Sequence, residues 1–155
     1  MKQMIGNLID LAKDNQFDVI LHGCNCFNTM GAGIAKYIKQ EFPKAYEVDC
    51  KTEKGDKNKL GTFSAAKIKI NEKDLIVCNC YTQYHYNSED KPVDYDAIVE
   101  CMKLLKSKVK NSGKRIGYPK IGCGLAGGNW DIVSAIIDKY LEGEDHTLVV
   151  LPDDL

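Results

Sequence analysis

Two segments carry glycines at a spacing suited to backbone that closes on an anion. Asn25–Ile34 reads Asn-Cys-Phe-Asn-Thr-Met-Gly-Ala-Gly-Ile, and Pro119–Gly128 reads Pro-Lys-Ile-Gly-Cys-Gly-Leu-Ala-Gly-Gly. Each follows an apolar run and precedes an amphipathic one, the order strand, loop, helix. Glycine lets a backbone approach a ligand closely, and helix N-termini offer unpaired N–H groups to anions. Two such loops facing one crevice would cradle a phosphate or a diphosphate without a cationic side chain. That chemistry suits a chain in which Arg115 is the one arginine among 21 basic residues, because a fork-shaped guanidinium clamp is almost unavailable.

The same residues exclude several other chemistries. Gly122-Cys-Gly124-Leu-Ala-Gly127 matches G-x-G-x-x-G. A dinucleotide-binding unit also needs another parallel strand with an acidic residue at its end, and here Glu142 and Glu144 precede the last strand. No G-x-x-x-x-G-K-[ST] is present, and no arginine lies six residues after any cysteine, which removes P-loop hydrolases and cysteine phosphatases. Cys24-Asn-Cys26 and Cys78-Asn-Cys80 repeat one tripeptide. Structural zinc prefers C-x₂₋₄-C spacing on turns, so these cysteines read as small buried hydrophobes and no metal is expected. Of the seven cysteines, Cys123 alone is placed to line a ligand site, with no general base beside it in sequence.

Three histidines complete the inventory. His22 precedes the first loop on a buried strand, where it is either an acid/base reaching the crevice or a hydrogen-bonded core residue. His85 lies in a polar, aromatic loop with Gln83, Tyr84 and Tyr86, and His146 reads as solvated near the C-terminal turn.

These residues need a scaffold, and the periodicity supplies one. Strands are expected at Lys2–Ile5, Asp18–Cys24, Gly61–Ile70, Asp74–Tyr81, Arg115–Tyr118 and Thr147–Leu151. Helices are expected at Leu8–Lys13, Gly31–Phe42, Lys44–Lys54, Val93–Val109 and Trp130–Leu141. Thr82–Pro92 reads as a long loop, and Asn71-Glu-Lys as a hairpin turn. Alternating strands and helices predict an α/β layered fold with a largely parallel sheet, in which ligands sit at the carboxyl ends of the strands.

The chain of 155 residues has the length of one domain, and its 21 basic and 22 acidic residues nearly cancel. A net charge of −1 argues against affinity driven by bulk attraction to nucleic acid, which is not expected as a partner. The absence of a long apolar run or a signal-like N-terminus predicts a cytoplasmic protein with reduced thiols and no membrane association.

Across nearly its whole length the sequence resembles the macro domain, an ADP-ribose-binding α/β module. The resemblance rests on Gly6-Asn7-Leu8, Val19-Ile-Leu-His-Gly-Cys-Asn25, Gly31-Ala-Gly-Ile-Ala35 and Ile121-Gly-Cys-Gly-Leu125. His-x-Cys-Asn-Cys at His22–Cys26 is similar to the ADP-ribose-1″-phosphate phosphatase branch. Met-Gly-Ala-Gly-Ile-Ala and Ile-Gly-Cys-Gly-Leu, followed by Trp130, look like the terminal ADP-ribose protein glycohydrolase branch. That second branch uses a lysine after the middle strand and an aspartate in the second glycine loop. Gln83 and Ala126 stand at those positions, so a lysyl adduct is not implied.

The resemblance implies a three-layer α/β/α fold on a mixed, largely parallel sheet of about six strands. It implies a single macro domain over residues 1–155, a monomer that needs no cofactor. ADP-ribose or a derivative would be the ligand, with ADP-ribosylated protein a further partner. Asn7 and Leu8 would contact adenine, and Asn25 would hold the distal ribose. Gly31, Ala32, Gly33 and Ile34 would form the first phosphate loop, and Gly122, Cys123, Gly124, Leu125, Ala126 and Gly127 the second. Gln83 and His85 would border the distal site, which lacks the aromatic residue often found in the second loop. The implied activity is hydrolysis at the distal ribose, foremost of ADP-ribose-1″-phosphate, with His22 as acid/base and Asn25 beside it. The alternatives are hydrolysis of acyl-ADP-ribose and a non-catalytic ADP-ribose reader.

Overall fold

The computed structural model describes residues 1–86 and 93–154. Among the described residues six strands and five helices follow in the order β1 (Lys2–Ile5), α1 (Leu8–Lys13), β2 (Val19–Cys24), α2 (Gly33–Glu41), α3 (Pro43–Cys50), β3 (Phe63–Ile70), β4 (Lys73–Tyr81), α4 (Tyr95–Val109), β5 (Arg115–Tyr118), α5 (Trp130–Tyr140) and β6 (Asp145–Val150). The strands form one sheet in the order β1-β6-β5-β2-β4-β3. All neighbours are parallel except β3 and β4, which form an antiparallel hairpin. Ile70 pairs with Lys73, so the turn is the two residues Asn71 and Glu72, with φ of 50° and 69°. Left-handed backbone at both positions matches the right-handed twist of the flanking strands, and asparagine tolerates it best.

Alternation along the strands feeds two separate cores. Val19, Leu21, Cys78, Cys80, Ile116, Tyr118 and Leu148 pack with α4 and α5 on one face of the sheet. Ile20, Ala66, Leu75, Val77 and Val149 pack with α1, α2 and α3 on the other. This is the expected three-layer α/β/α arrangement. The Cys-Asn-Cys repeat belongs to this packing: Cys78 and Cys80 enter the first core, whereas Cys24 and Cys26 join a third cluster with Met30 and Tyr81.

Several boundaries differ from expectation. The second helix starts at Gly33, because Ala32 is extended and Gly33 has φ of 59°, which leaves Gly31 in the loop. The third helix ends at Cys50, where the Thr52 hydroxyl donates to the Asp49 carbonyl at 2.6 Å. The last strand begins at Asp145 and so carries His146 indoors, correcting the solvated reading. Its Nδ1 lies 2.6 Å from the Tyr118 hydroxyl. Part of the Thr82–Pro92 loop, residues 87–92, lies outside the described residues.

The topology fixes where a ligand can sit. From β2 the chain continues to β4 and β3 on one side, and from β5 it continues to β6 on the other. Strand order therefore reverses between β2 and β5, and a crevice opens above their carboxyl ends. The one arginine stands at the opposite end of the sheet. Arg115 Nε and Nη2 donate to the Asp18 carboxylate at 3.0 and 3.1 Å, where the strands begin. That guanidinium lowers the Asp18 pKa and takes no part in the crevice.

Candidate functional site

The crevice between the loops after β2 and β5 is a cleft of about 850 Å³. The first loop contributes Asn25, Thr29, Gly31, Ala32, Gly33 and Ile34; the second contributes Gly122 through Ala126. Added Cβ atoms at Gly31, Gly33 and Gly124 would meet nothing within 4 Å, so these glycines border open space. Gly122 and Gly128 are glycine for another reason. The Gly128 amide donates to the Gly122 carbonyl at 2.8 Å, closing the second loop into an arch. A Cβ on Gly128 would lie 2.5 Å from that carbonyl oxygen, and one on Gly122 would lie 2.6 Å from Val93.

Backbone donors are the chief polar resource of the cleft. Ala32 caps α2 without any side-chain hydrogen bond, which leaves the first-turn N–H groups of Gly33, Ile34 and Ala35 open. In the arch, the amides of Cys123 and Gly127 bond to Lys120 and Gly124. Those of Gly124, Leu125 and Ala126 have no intramolecular acceptor among the described residues. The N-terminus of α5 does not share this role. Asn129 caps it at 2.8 Å through the Asp131 amide, and Asp131 places an acid in its first turn. Of the two helix starts, only α2 is built to receive an anion.

A buried cation braces the first loop. Lys59 ends a polar, lysine-rich stretch from Lys51, yet it is 7% exposed. Its Nζ donates to Asn28 Oδ1 at 2.7 Å and to the Cys26 carbonyl at 3.1 Å. Asn28 is held in left-handed backbone, with φ of 58°. Beneath it, Tyr81 donates to Asp49 at 2.7 Å, and burial raises the Asp49 pKa.

Not every expected site residue reaches the cleft. Asn25 does; its Nδ2 donates to Thr29 Oγ1 at 2.7 Å and its Oδ1 accepts from the Phe27 amide at 2.8 Å. Gln83 lines the cleft as well, donating to the His85 carbonyl at 2.9 Å. His85 does not line it and instead stacks on Tyr86 at 4.2 Å. Asn7 and Leu8 lie outside the lining too: Asn7 Oδ1 caps α1 by accepting from Ile9 and Asp10, and Leu8 enters the core. Gly127 turns the chain at φ of 68° behind the lining residues.

His22 overturns the acid/base assignment. Its ring is fully buried on the α2–α3 side, 2.7 Å from Asn79 Oδ1, and it does not border the cleft. Asn79 in turn donates to the Ala45 carbonyl and to Ser64, so the pair is a satisfied core network. Burial lowers the His22 pKa to about 4. Cys123 does line the cleft, but burial raises its thiol pKa and leaves it protonated. Among the described residues, no group of three or more His, Cys, Asp or Glu side chains is placed to hold a metal ion.

The low His22 pKa has a measurable consequence. A histidine whose folded pKa lies below its unfolded value of 6.5 stabilises the fold above pH 6.5, and that stability is lost as pH falls toward 4. Between pH 7 and pH 5 the fold should lose about 2 kcal/mol from this group. His146, also lowered by burial, acts in the same direction. Urea unfolding of His22→Gln at the two pH values should show a clearly smaller loss than the native chain. An equal loss would contradict the assignment.

Beside the glycines the cleft is lined by Thr29 and Lys120, which lie within the two loops, by Tyr86 of the aromatic loop, and by Asp154, which no sequence signal marks. Tyr86 belongs to a cluster with Phe27, Tyr84 and His85 on the β4 side. Lys120 and Asp154 follow β5 and β6 on the other side. Their signal is positional, since each stands just beyond the carboxyl end of a strand.

Comparison with known proteins agrees with this geometry. The sequence model of the macro domain matches residues 21–137. The chain is 36% identical over 143 residues to an uncharacterized 17.5 kDa protein of the tk-vs intergenic region of Enterobacteria phage T4, covering 90% of this chain and 89% of that one. It is 28% identical over 139 residues to an ADP-ribose 1″-phosphate phosphatase of Lodderomyces elongisporus, covering 86% of each. Among solved structures, Thermosipho africanus DarTG in complex with ADP-ribose superposes with a TM-score of 0.76 at 20% identity. That match covers 98% of this chain and 42% of DarTG.

Proposed function

Because the chain belongs to the macro domain family, we propose that the cleft binds ADP-ribose and that the protein releases phosphate from ADP-ribose-1″-phosphate. The observation that carries the proposal is the convergence of two sets of unpaired backbone amides, Gly33–Ala35 and Gly124–Ala126, beside open glycines. A diphosphate is the ligand that satisfies both sets at once. The relative named for this phosphatase activity and the neighbour bound to ADP-ribose support the reading.

In this mechanism the protein supplies position and electrostatics. The amides hold the diphosphate, and Asn25 holds the distal ribose near Gln83. Water adds to the phosphorus of the 1″-phosphate, the bond to the ribose oxygen breaks, and that oxygen takes up the water's proton. Donors fixed in a low-dielectric cleft stabilise the charge that develops during transfer. No buried imidazole is required.

The test is phosphate release from ADP-ribose-1″-phosphate by the native chain and by His22→Gln and Asn25→Ala. Release is expected from the first two with the same kcat, and a large loss is expected in Asn25→Ala. A kcat that falls with His22→Gln while stability at pH 7 holds would restore histidine catalysis. One observation favours a second reading: the acid/base candidate is buried and the cleft thiol stays protonated. Tight ADP-ribose binding without turnover of either the phosphate or an acyl-ADP-ribose substrate would establish a non-catalytic reader.

A further inference from the structure

One ammonium group holds the first loop from behind. Lys59 Nζ donates to the Cys26 carbonyl at 3.1 Å and to Asn28 Oδ1 at 2.7 Å, and it stands 4.7 Å over the Tyr81 ring. Taking an ammonium out of water is costly unless new hydrogen bonds replace those it loses. Among the described residues no carboxylate pairs with it, and Asp49 accepts from the Tyr81 hydroxyl instead. An apolar side chain would fill the same space without that cost, so the charge is explained by its two acceptors.

Both acceptors lead to Asn25. The Cys26 carbonyl and the Phe27 amide belong to one peptide unit, and that amide donates to Asn25 Oδ1 at 2.8 Å. A cation on the carbonyl polarises the peptide and strengthens its N–H as a donor. Asn28, in left-handed backbone, turns the chain into Thr29, whose hydroxyl accepts from Asn25 Nδ2 at 2.7 Å. Lys59 therefore stands behind both ends of the Asn25 amide without lining the cleft itself. Fixed at both ends, that amide offers the cleft one arrangement of donor and acceptor. The charged side chains that do line the cleft among the described residues are Lys120 and Asp154, beyond β5 and β6. Neither has a hydrogen bond or ion pair to Lys59, Asn28 or Asn25 among the described residues.

Resting on the ADP-ribose reading, we infer that Lys59 is a positioning residue for the distal ribose, its buried ammonium setting the orientation of the Asn25 side chain through the Cys26–Phe27 peptide and Asn28. It touches no ligand. Its contribution is confined to ligands that carry a distal ribose, and it disappears when Asn25 is removed.

The experiment is calorimetric titration of the native chain, Lys59→Met, Asn25→Ala and the double variant with ADP-ribose and with ADP, which keeps the base and the diphosphate but lacks the distal ribose. Lys59→Met should weaken ADP-ribose by about tenfold, the effect of one hydrogen bond to a charged group, and leave ADP unchanged. The double variant should bind ADP-ribose no more weakly than Asn25→Ala alone, because Lys59 acts through Asn25. Methionine leaves the Cys26 carbonyl its bond from the Gly55 amide at 2.7 Å, so no buried acceptor is stranded there. Should Lys59→Met fail to fold, Asn28→Gly carries the test. Glycine keeps the left-handed turn and removes one of the two acceptors, and the loss should again fall on ADP-ribose alone. Equal weakening of both ligands in either variant would make Lys59 a brace of the whole loop and overturn the inference. So would an unchanged ADP-ribose affinity in Lys59→Met, or a double variant in which the two losses add in full. Those results leave the ADP-ribose reading standing. Absence of heat with both ligands on the native chain defeats that reading, and the role of Lys59 with it.

Discussion

Gly124→Glu is expected to cut ADP-ribose affinity by about a hundredfold or more, 2.7 kcal/mol at least, without changing the melting temperature. The site for the new side chain is empty, since an added Cβ meets nothing within 4 Å. The backbone at Gly124 is not in the left-handed region, so the substitution carries no conformational strain. The carboxylate would project beside the unpaired amides of Leu125 and Ala126 and compete for them, placing negative charge where the diphosphate belongs. Gly33→Glu should also abolish binding. Its φ of 59° penalises any side chain, however, so loss there would mix strain with ligand exclusion. Calorimetry paired with thermal unfolding of Gly124→Glu separates the two. Unchanged affinity would remove the second loop from the site.

Gly128→Ala should do the reverse and strike the fold first. The added methyl carbon would lie 2.5 Å from the Gly122 carbonyl oxygen and 3.2 Å from its carbon, which are backbone atoms and cannot rotate away. The hydrogen bond that closes the arch, from the Gly128 amide to that same carbonyl, must lengthen or break. The cost is about 3 kcal/mol, at the upper end for overpacking because no rotamer relieves the clash. Urea unfolding should show a lower midpoint for Gly128→Ala. Gly31→Ala, whose methyl enters open space, should unfold like the native chain. Equal stability of the two variants would mean that the arch does not depend on the close approach of Gly122 and Gly128.

Much of this site was legible because its parts are local. Glycine spacing after β2 and β5 marked both loops, and strand–helix alternation placed them at one edge of the sheet. What the spacing does not convey is the difference between Gly124, which borders empty space, and Gly128, which touches backbone. His22 misled for a related reason. A strand buried on both faces gives no polar side to read, so the pattern cannot say whether its histidine faces a helix layer or the crevice. Its partner Asn79, and the Ser64 and Ala45 groups that accept from Asn79 in turn, come from three other elements. Lys59 was invisible among neighbouring lysines because its acceptors, Asn28 and Cys26, lie about thirty residues earlier. Asp154 and Tyr86 belong to the cleft through strand order, and strand order is not a local property.

The proposed function rests on backbone amides, not cationic side chains, holding the ligand. Titrating ¹⁵N-labelled protein with ADP-ribose while following each amide by NMR tests it most directly. The predicted result is that the largest shifts fall on Gly33, Ile34, Ala35, Gly124, Leu125 and Ala126, with Asn7 and His22 little affected. Spectra in which those six amides stay fixed, or in which the exposed lysines between Lys51 and Lys57 respond instead, would contradict it.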